Sequence, residues 1–259
     1  MKKIAESLTI EYGADLLQSE AMGRDTSDSR DYSFRPSQEA EPFEPSAIDL
    51  SPQVSTVFRQ GLHDCTVHTV AAALMFLQPD HMPSRRFLYF NMRRLQGTAK
   101  TDTGGSLRGA LKALRKWGCV EESVYPYDLG LPWKPDWSTR PSEGIYSQAS
   151  FFPMRYEAVG RKRLRAALAE GLPVMFAFQV PYDFMRLPMA KTGEMLWGKP
   201  MMRAGHTVLL VGLDDETETA TALNSFGPQW GQHGFFKMPY KYLLSKKCYD
   251  FWVLRNESE

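Results

Sequence analysis

The segment that begins at Cys65, Cys-Thr-Val-His-Thr-Val-Ala-Ala-Ala-Leu-Met-Phe-Leu, constrains the fold of this chain more than any other. Drawn as a helix it has apolar side chains nearly all round, and Gln78-Pro79 ends it. A helix with no polar face cannot lie on a surface, so other layers must enclose it on several sides. Cys65 then stands at the start of a buried helix.

The rest of the chain supplies the walls. Its 259 residues, 43% of them apolar, suffice for one large domain or two small lobes. Residues 83–96 and 106–117 carry apolar side chains at three- and four-residue spacing with Arg and Lys between them, which predicts two amphipathic helices, the second capped by Gly118. Residues 160–171 predict a further helix. Residues 173–180 (PVMFAFQV) read as a central strand, and residues 207–213, 219–224, 234–238 and 250–254 as further strands divided by Asp-Asp-Glu and Gly-Pro turns. Residues 126–141, with four prolines and three aromatics, read as a crossover. Residues 1–46, rich in Glu, Asp, Ser, Arg and Pro, read as an extended leader. The expected architecture is α+β with two lobes: a helical one over about 47–130, a strand-rich one over about 131–259, and a cleft between them.

Charge and cysteine usage narrow the partners. Thirty-one Lys and Arg against 30 Asp and Glu leave a net charge of +1, which gives no electrostatic reason to expect nucleic acid or a membrane surface. The three cysteines, Cys65, Cys119 and Cys248, form no CxxC pair and suit a reducing compartment. Met-Lys-Lys is not followed by an apolar run of signal-peptide type, and no stretch of eighteen apolar residues occurs, so the chain reads as cytoplasmic or exported without such a signal. Cys119 and Cys248 read as small core residues. His63 and His68 flank Cys65 in sequence but lack a second cluster at ligand spacing, so neither metal nor cofactor is expected.

Three features carry chemistry. Gln60-Gly61 stands shortly before Cys65, Gly205-His206 enters an apolar strand, and Asn224-Ser225 ends the next one. A helix N-terminus and a nearby imidazole both favour a thiolate, an Asn oxygen fixes the imidazole's tautomer, and a Gln amide can donate to a developing oxyanion. At these residues the chain resembles the papain-like cysteine peptidases, in particular bacterial members with short leaders. The stretch Asn224-Ser225-Phe226-Gly227-Pro228-Gln229-Trp230-Gly231-Gln232-His233-Gly234-Phe235 is similar to the family's Asn-Ser-Trp-Gly-x-x-Trp-Gly-x-x-Gly-Tyr segment. Gly205-His206-Thr207-Val208, Thr103-Gly104-Gly105, Tyr125-Pro126-Tyr127, and the leader's Asp28-Ser29-Arg30-Asp31-Tyr32 and Ile48-Asp49-Leu50 extend the likeness from about Met22 to Arg255.

The resemblance implies a cysteine peptidase acting on polypeptides through a thioester acyl-enzyme. Cys65 is then the nucleophile, His206 the acid and base, Asn224 its orienter and Gln60 the oxyanion donor. Gly104, Gly105, Gly205, Phe226 and Trp230 fall on the substrate side of the site. Residues 182–204, with five Met, read as a flap over the cleft. The chain departs from the family pattern in three places. Gln60 precedes Cys65 by five residues where six are usual, Asp64 stands beside the thiol where a small residue is usual, and Phe226 replaces a Trp. Two alternatives use the same residues: an acyl transferase or protein deamidase, and a decayed peptide-binding module.

Overall fold

The computed structural model describes residues 24–26, 28–37, 46–127, 137–181, 184, 191–196 and 200–257. Cys65–Leu77 is helical (α1), and every side chain from Cys65 to Leu74 is buried. Two further helices wall it on one side, α2 (Arg85–Gln96) and α3 (Leu107–Trp117). Each starts at a serine that accepts a backbone N–H of its first turn, Ser84 from Phe87 and Ser106 from Gly109, both at 3.1 Å. The expected starts at 83 and 106 therefore move inward to the residue after each cap.

Between the two helices the Arg residues divide unexpectedly. On α2, Arg85, Arg86 and Arg93 are buried, whereas their spacing assigned them to a polar face. Arg93 donates to the carbonyls of Ala99 (3.1 Å), Thr101 (2.8 Å) and Trp137 (2.5 Å), and its guanidinium lies 3.9 Å from the centre of the Tyr89 ring. A buried guanidinium is tolerated because carbonyls and a π face replace its water.

The opposite wall is one sheet of eight strands. Its path runs β1 (Tyr32–Ser33), β3 (Met154–Ala158), β8 (Cys248–Asn256), β4 (Val174–Pro181), β5 (Pro200–Asp214), β6 (Thr219–Leu223), β7 (Phe235–Pro239), with β2 (Ala47–Asp49) attached to β5. The pairings are antiparallel except β1 with β3. β4 is buried on both faces, as its run of apolar residues predicts. α1 packs directly on β5. The fold is thus the α+β, two-lobe arrangement, with the start of α1 facing the strand that carries His206. The β5–β6 register pairs Leu209 with Leu223, so the chain leaving β6 at Asn224 passes back alongside His206.

Residues 160–171 form a 3-10 turn (Arg161–Arg163) followed by a short helix (Leu164–Ala169). Cys119 and Cys248 are buried and unpaired. The crossover at 126–141 and much of the stretch 1–46 fall largely outside the described residues, as do residues 182–183, 185–190 and 197–199 of the segment 182–204, whose last five residues begin β5. Of the flap, Phe184 is buried with its ring centroid 6.1 Å from that of His206. Among the described residues no helix is long and apolar enough to cross a membrane, and no three His, Cys, Asp or Glu side chains group as a metal site.

Candidate active site

The geometry is built outward from Asn224. Its Oδ1 accepts the backbone N–H of Ser225 at 2.8 Å and lies 2.8 Å from Nε2 of His206. An atom that accepts a backbone N–H is an oxygen, so the imidazole nitrogen facing it must carry the proton. His206 is therefore protonated on Nε2, and Nδ1 keeps its lone pair. The Phe226 ring stacks on the imidazole, centroids 4.9 Å apart and planes inclined by 22°. Trp230, itself 1% exposed, meets Phe226 edge-on at 5.6 Å. These rings shield the His–Asn bond from water, which is the role the usual indole at this position leaves to a phenyl here.

Cys65 is 6% exposed at the first residue of α1. The structure brings its thiol into polar contact with Thr207, the residue after His206 on β5. Burial pushes the thiol up from its ordinary range, and the charge of Asp64 adds to that, while contacts with Thr207 and Thr66 pull it back. Burial also pulls His206 down to about 4, against the opposing effect of its Asn224 hydrogen bond.

Gln60 is tied to the same framework. Phe58, Arg59 and Gln60 run antiparallel to Ser225, Phe226 and Gly227: Gln60 N–H donates to Ser225 O (2.8 Å), Gly227 N–H donates to Phe58 O (2.9 Å), and Arg59 bridges Phe226. Ser225 Oγ donates to Gln60 Oε1 (2.5 Å), and Gln60 Nε2 donates to Leu62 O (3.0 Å), leaving its second amide hydrogen for another acceptor. One loop, 224–227, thus holds both His206 and Gln60.

Gly104 and Gly105 are adjacent to this centre. Gly105 O accepts the Thr66 hydroxyl at 2.8 Å, next to Cys65, and Gly104 N–H donates to Tyr89 OH at 3.2 Å. Gly104 has φ 71°, a backbone region that disfavours side chains. Gly205 lies on β5 opposite Gln179. Eight of the nine residues singled out in the sequence thus lie on the α1 start, the neighbouring Gly-Gly loop, β5 or the loop after β6, and the ninth, Gln60, lies on the segment before α1 that pairs with that last loop. The sequence reading missed Tyr127 and His68 as parts of one buried polar group with Asp64. The Tyr-Pro-Tyr element and the pair of His residues were visible, but nothing local tied them together.

Comparison with known proteins gives the family. A model of the papain family of cysteine proteases matches residues 96–249, a span that begins after Cys65 and includes His206 and Asn224. An uncharacterized peptidase C1-like protein of Acanthamoeba polyphaga mimivirus is 30% identical over 84% of this chain and 75% of its own. The chain belongs to the papain family of cysteine proteases. The solved structure of xylellain, a cysteine protease from Xylella fastidiosa, superposes with a TM-score of 0.80 at 30% identity, covering 92% of this chain and 97% of that one. A digestive procathepsin L 3 of Tenebrio molitor shares the fold at TM-score 0.63 and 19% identity, over 88% and 72% of the two chains. As a papain-family member the chain is a hydrolase of the cysteine peptidase type.

Proposed function

We propose that the chain cleaves peptide bonds in polypeptides, with Cys65 as nucleophile, His206 as base and then acid, Asn224 as the group that orients His206, and Gln60 as oxyanion donor. The observation that carries this reading is the His206 Nε2–Asn224 Oδ1 contact of 2.8 Å, with Asn224 fixed by the Ser225 N–H. It leaves the Nδ1 lone pair to take a thiol proton. In the first half-reaction Cys65 sulfur bonds to the scissile carbonyl carbon as its proton passes to Nδ1. The carbonyl π electrons move to oxygen, where the free Gln60 amide hydrogen and the Cys65 backbone N–H receive them. Collapse breaks the C–N bond, and the imidazolium returns the proton to the leaving amine. Water then attacks the thioester with His206 again as base, which releases the acid and restores the thiol.

In Gly104-Gly105 the Gly104 N–H and the Gly105 carbonyl are bonded to Tyr89 and Thr66, which leaves the Gly104 carbonyl and the Gly105 N–H for strand-like hydrogen bonds to substrate, and Gly205, Phe226 and Trp230 shape the opposite side. The three cysteines form no disulfide, which suits a reducing cytoplasmic setting. The test is cleavage of a peptide library by the parent and by Cys65→Ala, with mass analysis in the presence and absence of an added primary amine. Activity confined to the parent, covalent labelling of Cys65 by a thiol-directed epoxide, and products carrying water support the reading. Equal activity of Cys65→Ala defeats it. Products carrying the amine assign acyl transfer instead, and peptide binding without labelling assigns a non-catalytic module.

A further inference from the structure

The loop from Gln60 to Cys65 is one residue short of the family spacing, and Asp64, buried to 0% exposure, occupies its last position. A buried carboxylate beside the attacking sulfur is costly unless its partners hold it. Its partner is Tyr127. The Tyr127 hydroxyl accepts the Gly61 N–H at 2.9 Å and donates to Asp64 Oδ2 at 2.5 Å. One oxygen atom thus ties the residue next to Gln60 to the residue next to Cys65. Donation to a carboxylate makes the phenol oxygen a better acceptor, so the two bonds strengthen each other.

Tyr127 is itself held from behind. Its backbone N–H donates to Glu122 Oε1 (2.7 Å), which also accepts Arg85 Nη2 (2.8 Å), and the Arg85 guanidinium sits 4.5 Å from the centre of the Tyr127 ring. The His68 ring meets the Tyr127 ring edge-on at 5.0 Å, with its Nε2 3.3 Å from Asp64 Oδ2. Burial keeps the Tyr127 phenol protonated and draws His68 toward its neutral form.

We propose that Tyr127 and Asp64 are positioning residues: a buried brace that sets the short loop so that the Gln60 amide and the Cys65 N–H converge on the oxyanion. This rests on the roles given above to Cys65 and Gln60. The brace acts on steps in which charge develops on a carbonyl oxygen, and not on the sulfur as such. Two probes separate these. A peptide aldehyde forms a hemithioacetal: sulfur bonds to the carbonyl carbon, the π electrons go to oxygen, and the oxygen takes the thiol proton. Iodoacetamide alkylates the same sulfur with loss of iodide and needs no oxyanion donor.

In the full chain, Tyr127→Phe is expected to lower kcat on a peptide substrate and to weaken aldehyde inhibition by about tenfold to a hundredfold. KM is expected to stay within about twofold and the iodoacetamide rate within about threefold. Asp64→Ala should show the same split, with alkylation no slower because a negative charge has left the thiol's side, and it serves as the test if Tyr127→Phe does not fold. The double variant should lose no more than the worse single one, because both cut one brace. The proposal is overturned if acylation and alkylation fall together, if kcat is kept within about twofold, or if the losses multiply in the double variant. A parent that is cleavage-competent while its variants show no split sinks the brace alone. A parent neither active nor alkylated at Cys65 sinks the peptidase reading with it.

Discussion

A single backbone N–H, that of Ser225, decides which nitrogen of His206 is protonated, and burial decides what happens next. With the imidazole drawn down to about 4 and the Cys65 thiol pushed up, both groups are neutral between about pH 5 and 7, and proton transfer accompanies attack. The alkylation of Cys65 by iodoacetamide is therefore expected to rise with pH through the neutral range, following the thiolate. The sign is that of an acid whose ionised form is disfavoured by burial: it is protonated below its raised pKa and reactive above it. A rate that is flat from pH 5 to 9 would mean that a thiolate–imidazolium pair is already formed, and would refute this. Cys65, His206 and Asn224 were legible in the sequence because each sits in a motif with fixed neighbours. Asp64 and Tyr127 were not, since the hydroxyl that joins them comes from sixty-three residues away and no local pattern encodes that contact.

At the scale of elements, the loops are more exacting than the helices and strands they join. The loop after β6 must turn sharply enough to present Asn224 to His206 and Ser225 to Gln60, and Gly234 makes this possible. It has φ 94°, a Cβ there would come within 2.3 Å of a Val57 methyl, and its carbonyl accepts the Asn224 N–H at 2.8 Å. Gly234→Ala is expected to lower stability by about 1–3 kcal/mol, read as the urea midpoint, and to lower kcat in the same variant because the Asn224 anchor moves with it. A variant as stable as the parent would show that the turn relaxes at no cost. The strands were readable from runs of apolar residues, and β4 most clearly, because burial on both faces leaves Gln179 as its one polar position. α2 was readable as a helix but not in its burial. Arg93 looks like a surface residue until the carbonyls of Ala99, Thr101 and Trp137, all outside the helix, are brought to its guanidinium.

Over the whole molecule, the described residues before position 38 tie α3 to β8. Asp25 Oδ2 accepts the Arg108 N–H (3.1 Å) and Trp252 Nε1–H (3.0 Å), Asp31 pairs with Arg108 (2.5 Å), and β1 adds to the sheet beside β3. The Asp25 N–H reaches back to Asp250 Oδ2 at 2.9 Å. Asp250 is thus drawn into a partly buried junction next to a second carboxylate, and its pKa is raised to about 6, mainly by burial and opposed by the Asp25 N–H. An acid whose folded pKa lies above its unfolded value of 3.8 binds its proton more tightly when folded. Its contribution to stability is full below the unfolded value and is lost as pH rises through about 6. Asn stays neutral throughout, can accept the same N–H, and tolerates the φ of 54° that Asp250 adopts. Asp250→Asn is therefore expected to melt higher than the parent at pH 8, with the difference shrinking as pH falls and gone by about pH 4. A parent that melts at or above the variant at pH 8, or a gap that does not change with pH, would show that the carboxylate is not strained by this junction with Asp25.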